Sequence, residues 1–114
     1  EFRRVLFRSK GLPGMVHYST SKGAVTTMTR ALSRELGSAG ICVNSLAPGA
    51  VMSDTIMQNV AHVQRYHQFA SQQRALKRDM VPQDLLGALV FLASSASDFV
   101  TGQTLAVDGG SVNT

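Results

Sequence analysis

Two side chains able to exchange a proton and hold a charge, Tyr18 and Lys22, stand four residues apart. On a helix that spacing puts both on one face, one above the other. An ammonium beside a phenol favours the phenolate, so a group that ordinarily titrates at about 10 is drawn toward neutrality. Such a tyrosine can give or take a proton at working pH. The chemistry this suits is ketone reduction, in which the carbonyl oxygen must gain a proton as hydride reaches its carbon. The same spacing also describes an ordinary surface pair on a helix, so the surrounding elements must decide.

Other reactive side chains point elsewhere. His17, His62 and His67 show no metal-ligand arrangement, because the last two are five apart and fall on different faces of a helix. No metal site is expected. Asp54 reads as a helix cap rather than an acid catalyst. Cys42, the single cysteine, sits in an apolar stretch and is expected to be a small buried thiol in a reducing compartment.

The elements that must position the pair follow from periodicity. From His17 to about Leu36 the pattern is helical. Val25, Met28, Leu32 and Leu36 recur at spacings of three and four and are expected to form the core face. Gly37 and Gly40 supply the stop. Residues 41–47 form a short, mostly apolar run that ends in Pro48-Gly49, which predicts a buried strand. Residues 54–80 are more polar and read as a helical excursion or lid. Pro82 fits the first turn of a further helix, continued by Leu85, Leu89 and Leu92 to about Ser94. Residues 103–107 read as a last strand, closed by a turn at Asp108-Gly109-Gly110. Helix, strand, helix, strand is the α/β signature of a parallel sheet. Two or three parallel strands cannot cover both faces and both edges of such a sheet, so the pattern reads as part of a larger one.

Composition narrows the classes. The 114 residues suit one small domain, and 44% of them are hydrophobic, an ordinary globular fraction. The net charge of +4 raises a nucleic-acid reading, but residues 1–10 alone carry +3 through Arg3, Arg4, Arg8 and Lys10 against Glu1. The remaining body is almost neutral, whereas a nucleic-acid binder needs a basic face. No apolar run approaches the roughly 18 residues of a membrane span, and none follows the early arginines as a signal peptide requires. A soluble, cytoplasmic protein is expected, with neither a membrane nor a nucleic acid as partner. Residues 1–10 also break the periodicity at Gly11 and read as an irregular, foreign prefix, with residues 11–114 as the domain proper.

Four ordered blocks carry a resemblance. Tyr18-Ser19-Thr20-Ser21-Lys22-Gly23-Ala24-Val25 resembles the active-site helix of the short-chain dehydrogenase/reductase family. Val43-Asn44-Ser45-Leu46-Ala47-Pro48-Gly49-Ala50-Val51 is similar to that family's strand and Pro-Gly turn. Pro82-Gln83-Asp84-Leu85 with Phe91-Leu92-Ala93-Ser94 resembles its late helix. Thr101-Gly102-Gln103-Thr104-Leu105 with Val107-Asp108-Gly109-Gly110 resembles its closing strand. Within the family the similarity is nearest to 3-oxoacyl-carrier-protein reductase-like members.

The resemblance implies the C-terminal half of a doubly wound, Rossmann-type parallel sheet with flanking helices. It implies an NAD(P)-dependent oxidoreductase that interconverts a small secondary alcohol and a ketone. Tyr18 would be the acid/base, and Lys22 would hold the nicotinamide ribose and lower the tyrosine pKa. Pro48 and Gly49 would line the nicotinamide pocket, the Val51 backbone would bond the carboxamide, and Ser53 would stand near the cofactor phosphates, where a threonine is usual. NAD or NADP would be the cofactor and the intact enzyme a homotetramer. Three features depart from the family pattern. The residue thirteen before Tyr18, where a serine is expected, is Val5, and Ser9 is too close. The glycine-rich turn for the pyrophosphate and a further active-site asparagine are both missing. The chain itself is therefore expected to be an inactive fragment. The alternative is a non-catalytic α/β module that pairs with another subunit through its open edges.

Overall fold

A computed structural model describes residues 14, 16–66, 71, 72 and 74–111. The expected prefix at residues 1–10, with Val5 and Ser9, lies outside the described residues, as does His67. Helix α1 spans Val16–Leu36. Gly40 ends its run by taking φ +73°, a left-handed conformation open to glycine without a steric penalty. The Gly40 N–H bonds the Gly37 carbonyl at 3.0 Å and the Ile41 N–H bonds the Leu36 carbonyl at 3.3 Å, which satisfies late carbonyls of the helix from beyond its end. Of the two glycines expected to stop the helix, Gly40 makes the turn, and Gly37 lies in a 3-10 segment, Gly37–Ala39.

The packed face of α1 is not the expected one. Val25 and Met28 are 45% and 54% exposed, and the buried positions are Thr29 and Ser33. Both hydroxyls donate to carbonyls of the same helix, Thr29 Oγ1 to Val25 and Ser33 Oγ to Arg30, each at 2.8 Å. Burial therefore leaves neither unsatisfied. The reason is size. A Cβ added at Gly102 would stand 2.7 Å from Ser33 Oγ, so the helix comes down on bare backbone with small side chains. Of the expected apolar stripe, Val25 and Met28 stand open while Leu32 and Leu36 are half-buried.

Strands β1, Ser45–Pro48, and β2, Thr104–Val107, pair in parallel, with Ser45 opposite Thr104 and Pro48 opposite Val107. The expected parallel α/β arrangement is present. The first strand starts four residues later than residue 41, because residues 43 and 44 meet residues 100–103 largely through side chains. Asn44 Nδ2 donates to the Val100 carbonyl at 2.7 Å and Asn44 Oδ1 accepts from the Gln103 N–H at 3.1 Å. Thr101 Oγ1 accepts the Val43 N–H at 3.0 Å. Cys42 is exposed rather than buried, its thiol 3.4 Å from the Asp98 carbonyl.

Beyond β1 come two short helices, α2 (Asp54–Met57) and α3 (Val60–Tyr66). The segment expected as a helical excursion is helical in this first part and again at the described residues 71 and 72. Residues 74–80 instead turn back onto the sheet, where Met80 pairs with Val51 in a parallel bridge and accepts the Met52 N–H at 2.7 Å. Ala50 and Met80 are the buried apolar residues among those described. After a 3-10 turn, Pro82–Leu85, helix α4 runs Leu86–Leu92, with Pro82 in the first turn as expected. No helix of the described residues is long and apolar enough to cross a membrane.

Asp84 anchors the start of this last helical segment. Its carboxylate accepts the Val81 N–H at 2.9 Å, an orphan donor at a helix start. It also receives the Arg78 guanidinium in a two-pronged grip of 2.7 and 2.6 Å. The Arg78 hydrogen bonds first, and then the Val81 N–H, hold the Asp84 carboxyl down from 3.8 to about 2. A depressed carboxylate stabilises the fold above its unfolded pKa and loses that contribution as pH falls through the folded value. The stability difference between wild type and Asp84→Asn, from urea unfolding, is expected to be level near neutrality. It should shrink between pH 3.8 and about 2. A difference constant across that window would rule the grip out as a stabilising contact.

Candidate active site

Tyr18 and Lys22 occupy the first two turns of α1. The Lys22 ammonium lies over the Tyr18 ring, 5.6 Å from its centroid, where the ring quadrupole attracts a cation. Tyr18 is half-buried and Lys22 exposed. Ser21 Oγ donates to the Tyr18 carbonyl at 2.8 Å. Between the two reactive residues, Ser19 Oγ is buried without a hydrogen-bond partner among the described residues. The ammonium thus stands on the face of the Tyr18 ring.

The second group of candidates forms one continuous turn at the end of β1. Pro48 pairs with Val107 at the strand's last position. Gly49 is buried, its N–H bonds the Val107 carbonyl at 2.9 Å, and an added Cβ would meet Asp108 Cα and Cβ at 2.9 Å each. Glycine is therefore required here by the opposing Asp108 backbone. Val51 is held in its bridge to Met80. Ser53 is half-buried, its N–H bonds the Val51 carbonyl at 3.0 Å, and its own carbonyl accepts the Met57 N–H at 3.0 Å. Ser53 thereby stands at the cap position of α2. Asp54, expected as the cap, is the first residue inside that helix, where a carboxylate favours the positive end of the helix dipole.

The two groups lie at the same end of the unit. From Tyr18 to Leu36 the helix descends about 27 Å at about 1.5 Å per residue, and the seven steps from residue 41 to residue 48 climb back at most about 23 Å at roughly 3.3 Å per residue. Helix α1 lies against β1 and leads back to its start, so the Tyr18–Lys22 pair at the helix start and the Pro48-Gly49 turn at the strand's end face the same end of the unit. This is the carboxyl end of the parallel strands, where open α/β sheets receive ligands.

Several site-shaping residues escape a reading by spacing. Arg74 is 2% exposed, although it belongs to a polar stretch that reads as solvated. Its guanidinium donates to the carbonyls of Ala50 and Arg78. Arg78 and Asp84 are six apart and off any helical face. Nothing in their spacing marks them as partners.

A family model described as enoyl-(acyl carrier protein) reductase matches residues 5–112. A short-chain dehydrogenase/reductase of Hericium erinaceus, eriH, is 37% identical over 106 residues, which cover 90% of this chain and 40% of that one. The chain belongs to the short-chain dehydrogenase/reductase family. The matched span takes in residues 5–10, so the expected prefix boundary at Gly11 is not a boundary of the match. Solved structures agree in fold. A blue fluorescent protein from a metagenomic library, in complex with NADPH, is 35% identical with a TM-score of 0.79, covering 95% of this chain and 42% of that one. A 4-hydroxyisoleucine dehydrogenase complexed with NADH is 28% identical with a TM-score of 0.70, covering 83% and 39%. The parallel pair with its helices is thus part of a Rossmann-type sheet. The chain spans 36–42% of the length of the curated relatives it matches.

Family membership does not alter the packing requirement at the Pro-Gly turn. Gly49→Ala is expected to destabilise the fold by about 1–3 kcal/mol, the usual cost of overpacking, because the opposing atoms include backbone that cannot swing away. Chemical denaturation would measure it. A loss below about 0.5 kcal/mol, within the range of surface substitutions, would show that the Asp108 turn yields.

Proposed function

We propose that this chain is the nicotinamide-proximal portion of an NAD(P)-dependent oxidoreductase that interconverts a small secondary alcohol and the corresponding ketone. The observation that carries the reading is the Lys22 ammonium over the Tyr18 ring, on the helix start at the end of the unit where β1 ends in the Pro48-Gly49 turn. The donor set suits the nicotinamide end of a dinucleotide. Lys22 would hold the ribose hydroxyls, Pro48 and Gly49 would line the ring's pocket, the Val51 backbone would meet the carboxamide, and Ser53 would approach the phosphates. When bound, the reduced nicotinamide supplies hydride to the carbonyl carbon. Tyr18 gives its phenolic proton to the carbonyl oxygen and takes it back in the direction of oxidation. The Lys22 cation stabilises the charge that then remains on the phenolate. Dinucleotide-bound relatives of known structure and the family's dehydrogenase members support this assignment.

Two further elements belong to the reading. The residues here offer the pyrophosphate no glycine-rich turn, so the 114-residue chain by itself is inactive. The full-length enzyme is a homotetramer. The exposure of Leu86 (55%), Leu89 (52%) and Val90 (64%) on α4 favours this, since a helix apolar over a wide arc needs more than one partner surface.

In the full-length protein, Tyr18→Phe is expected to lower kcat by about 10²–10⁴-fold, the usual weight of a general acid–base group, with cofactor affinity nearly unchanged. Lys22→Ala should weaken both cofactor binding and rate. A loss below tenfold for Tyr18→Phe in steady-state kinetics would remove Tyr18 from the chemistry. Light scattering on the same protein should give four subunits, and a strict monomer would contradict the interface. Nicotinamide-dependent turnover by the isolated 114-residue chain would refute its inactivity.

A further inference from the structure

Arg74 does something no apolar residue of its size could do. Arg74 is 2% exposed, and its Nε finds no hydrogen-bond partner among the described residues. A buried cation with an unsatisfied donor is costly, and a methionine would fill the same space without that cost. What the guanidinium adds is directed donation. Nη2 donates to the Ala50 carbonyl, and Nη1 to the Arg78 carbonyl at 3.2 Å. Its stem lies under Gly109, where an added Cβ would come within 3.3 Å of Arg74 Cδ. One side chain therefore joins the Pro-Gly turn, the segment of residues 74–80 and the turn after β2.

The Ala50 carbonyl shares a peptide plane with the Val51 N–H. No peptide bond among the described residues is cis, so the carbonyl and the N–H point to opposite sides of that plane. Holding the carbonyl from the Arg74 side fixes the direction of the N–H on the other. The neighbouring amides are held by main chain, the Gly49 N–H on the Val107 carbonyl and the Met52 N–H on the Met80 carbonyl. A cation on the carbonyl also draws charge from the amide and strengthens its N–H as a donor.

We propose that Arg74 is a positioning residue that orients and polarises the Ala50–Val51 peptide toward the nicotinamide carboxamide. This rests on the assignment of the Val51 backbone to that group. The test compares wild type, Arg74→Met and Arg74→Lys in the full-length protein, titrated with NADH, NADPH and ADP-ribose, which lacks the nicotinamide. Hydrogen exchange is followed over residues 49–53 and over α1. Arg74→Met is expected to speed exchange over 49–53 and leave α1 unchanged. It should weaken the preferred reduced dinucleotide by about tenfold, the scale of one oriented hydrogen bond, and leave ADP-ribose within twofold. In steady state the cofactor KM should rise more than kcat falls. Equal weakening of dinucleotide and ADP-ribose would show a merely structural role and overturn the proposal, as would no weakening of either. If Arg74→Met fails to fold, seen as lost protection in α1, Arg74→Lys carries the same comparison. Lysine keeps the charge but cannot fork to two carbonyls, so a selective loss of about threefold is expected, and a change equal for both ligands overturns the proposal. Wild-type protein that binds none of the three ligands would refute the oxidoreductase reading and this one with it. Wild-type binding without the selective loss refutes only the role of Arg74.

Discussion

Gly49 and Asp108 approach so closely that the space between them cannot take a methyl group. Everything at the carboxyl end of the sheet depends on that approach. It lets the Gly49 N–H reach the Val107 carbonyl, so the parallel ladder continues one step past the strands. It also sets the turn after β2 against the turn after β1. The Asp108 carboxylate accepts the Gly110 N–H at 2.9 Å, and Gly109 and Gly110 both take positive φ. The chain thereby folds over residues 74–76, where the Leu76 N–H bonds the Gly109 carbonyl at 2.9 Å. A Pro-Gly turn that looks like simple punctuation in the sequence is one wall of a three-segment junction.

The order and type of the elements were legible because they rest on local rules. Gly40 past the end of a helical pattern, Pro82 at the start of another, and a short apolar run before Pro48-Gly49 each act within a few residues. The Tyr18–Lys22 pair was legible for the same reason, a spacing of four. What failed depends on distant partners. Periodicity points Val25 and Met28 to the core, yet Thr29 and Ser33 take the inner face, where the Gly102 backbone stands too close to Ser33 for anything larger. The apolar neighbours of Cys42 suggest burial, but the strand begins only at Ser45 and the thiol is exposed. Arg74 gave no sign of burial, since its acceptors at Ala50 and Arg78 are main-chain carbonyls and leave no mark on side-chain pattern.

The described residues enclose little apolar matter of their own, with Ala50 and Met80 fully covered and Val25, Met28, Leu86, Leu89 and Val90 open. Their inner contacts are instead made by small polar side chains, a buried guanidinium and close backbone. This suits a unit whose faces are completed by other surfaces, in keeping with its 36–42% share of the relatives' length. Membership of the short-chain dehydrogenase/reductase family gives that share a meaning, because a doubly wound sheet buries both faces of its strands.

The Gly40 turn divides the chain by its tolerance of length change. It lies at the foot of the unit, some 27 Å along α1 from Tyr18 at about 1.5 Å per residue. Residues gained or lost within the turn of residues 37–40 would loop out there and leave both arms in register, whereas Val43 and Asn44 are tied to residues 100–103. A single residue gained inside α1 between Tyr18 and Thr29 would turn the tyrosine by about 100° and shift it about 1.5 Å along the axis, carrying it off the face it shares with the Pro-Gly turn. The geometry therefore tolerates a change of length at the Gly40 turn and holds the helix above it to a fixed count of residues.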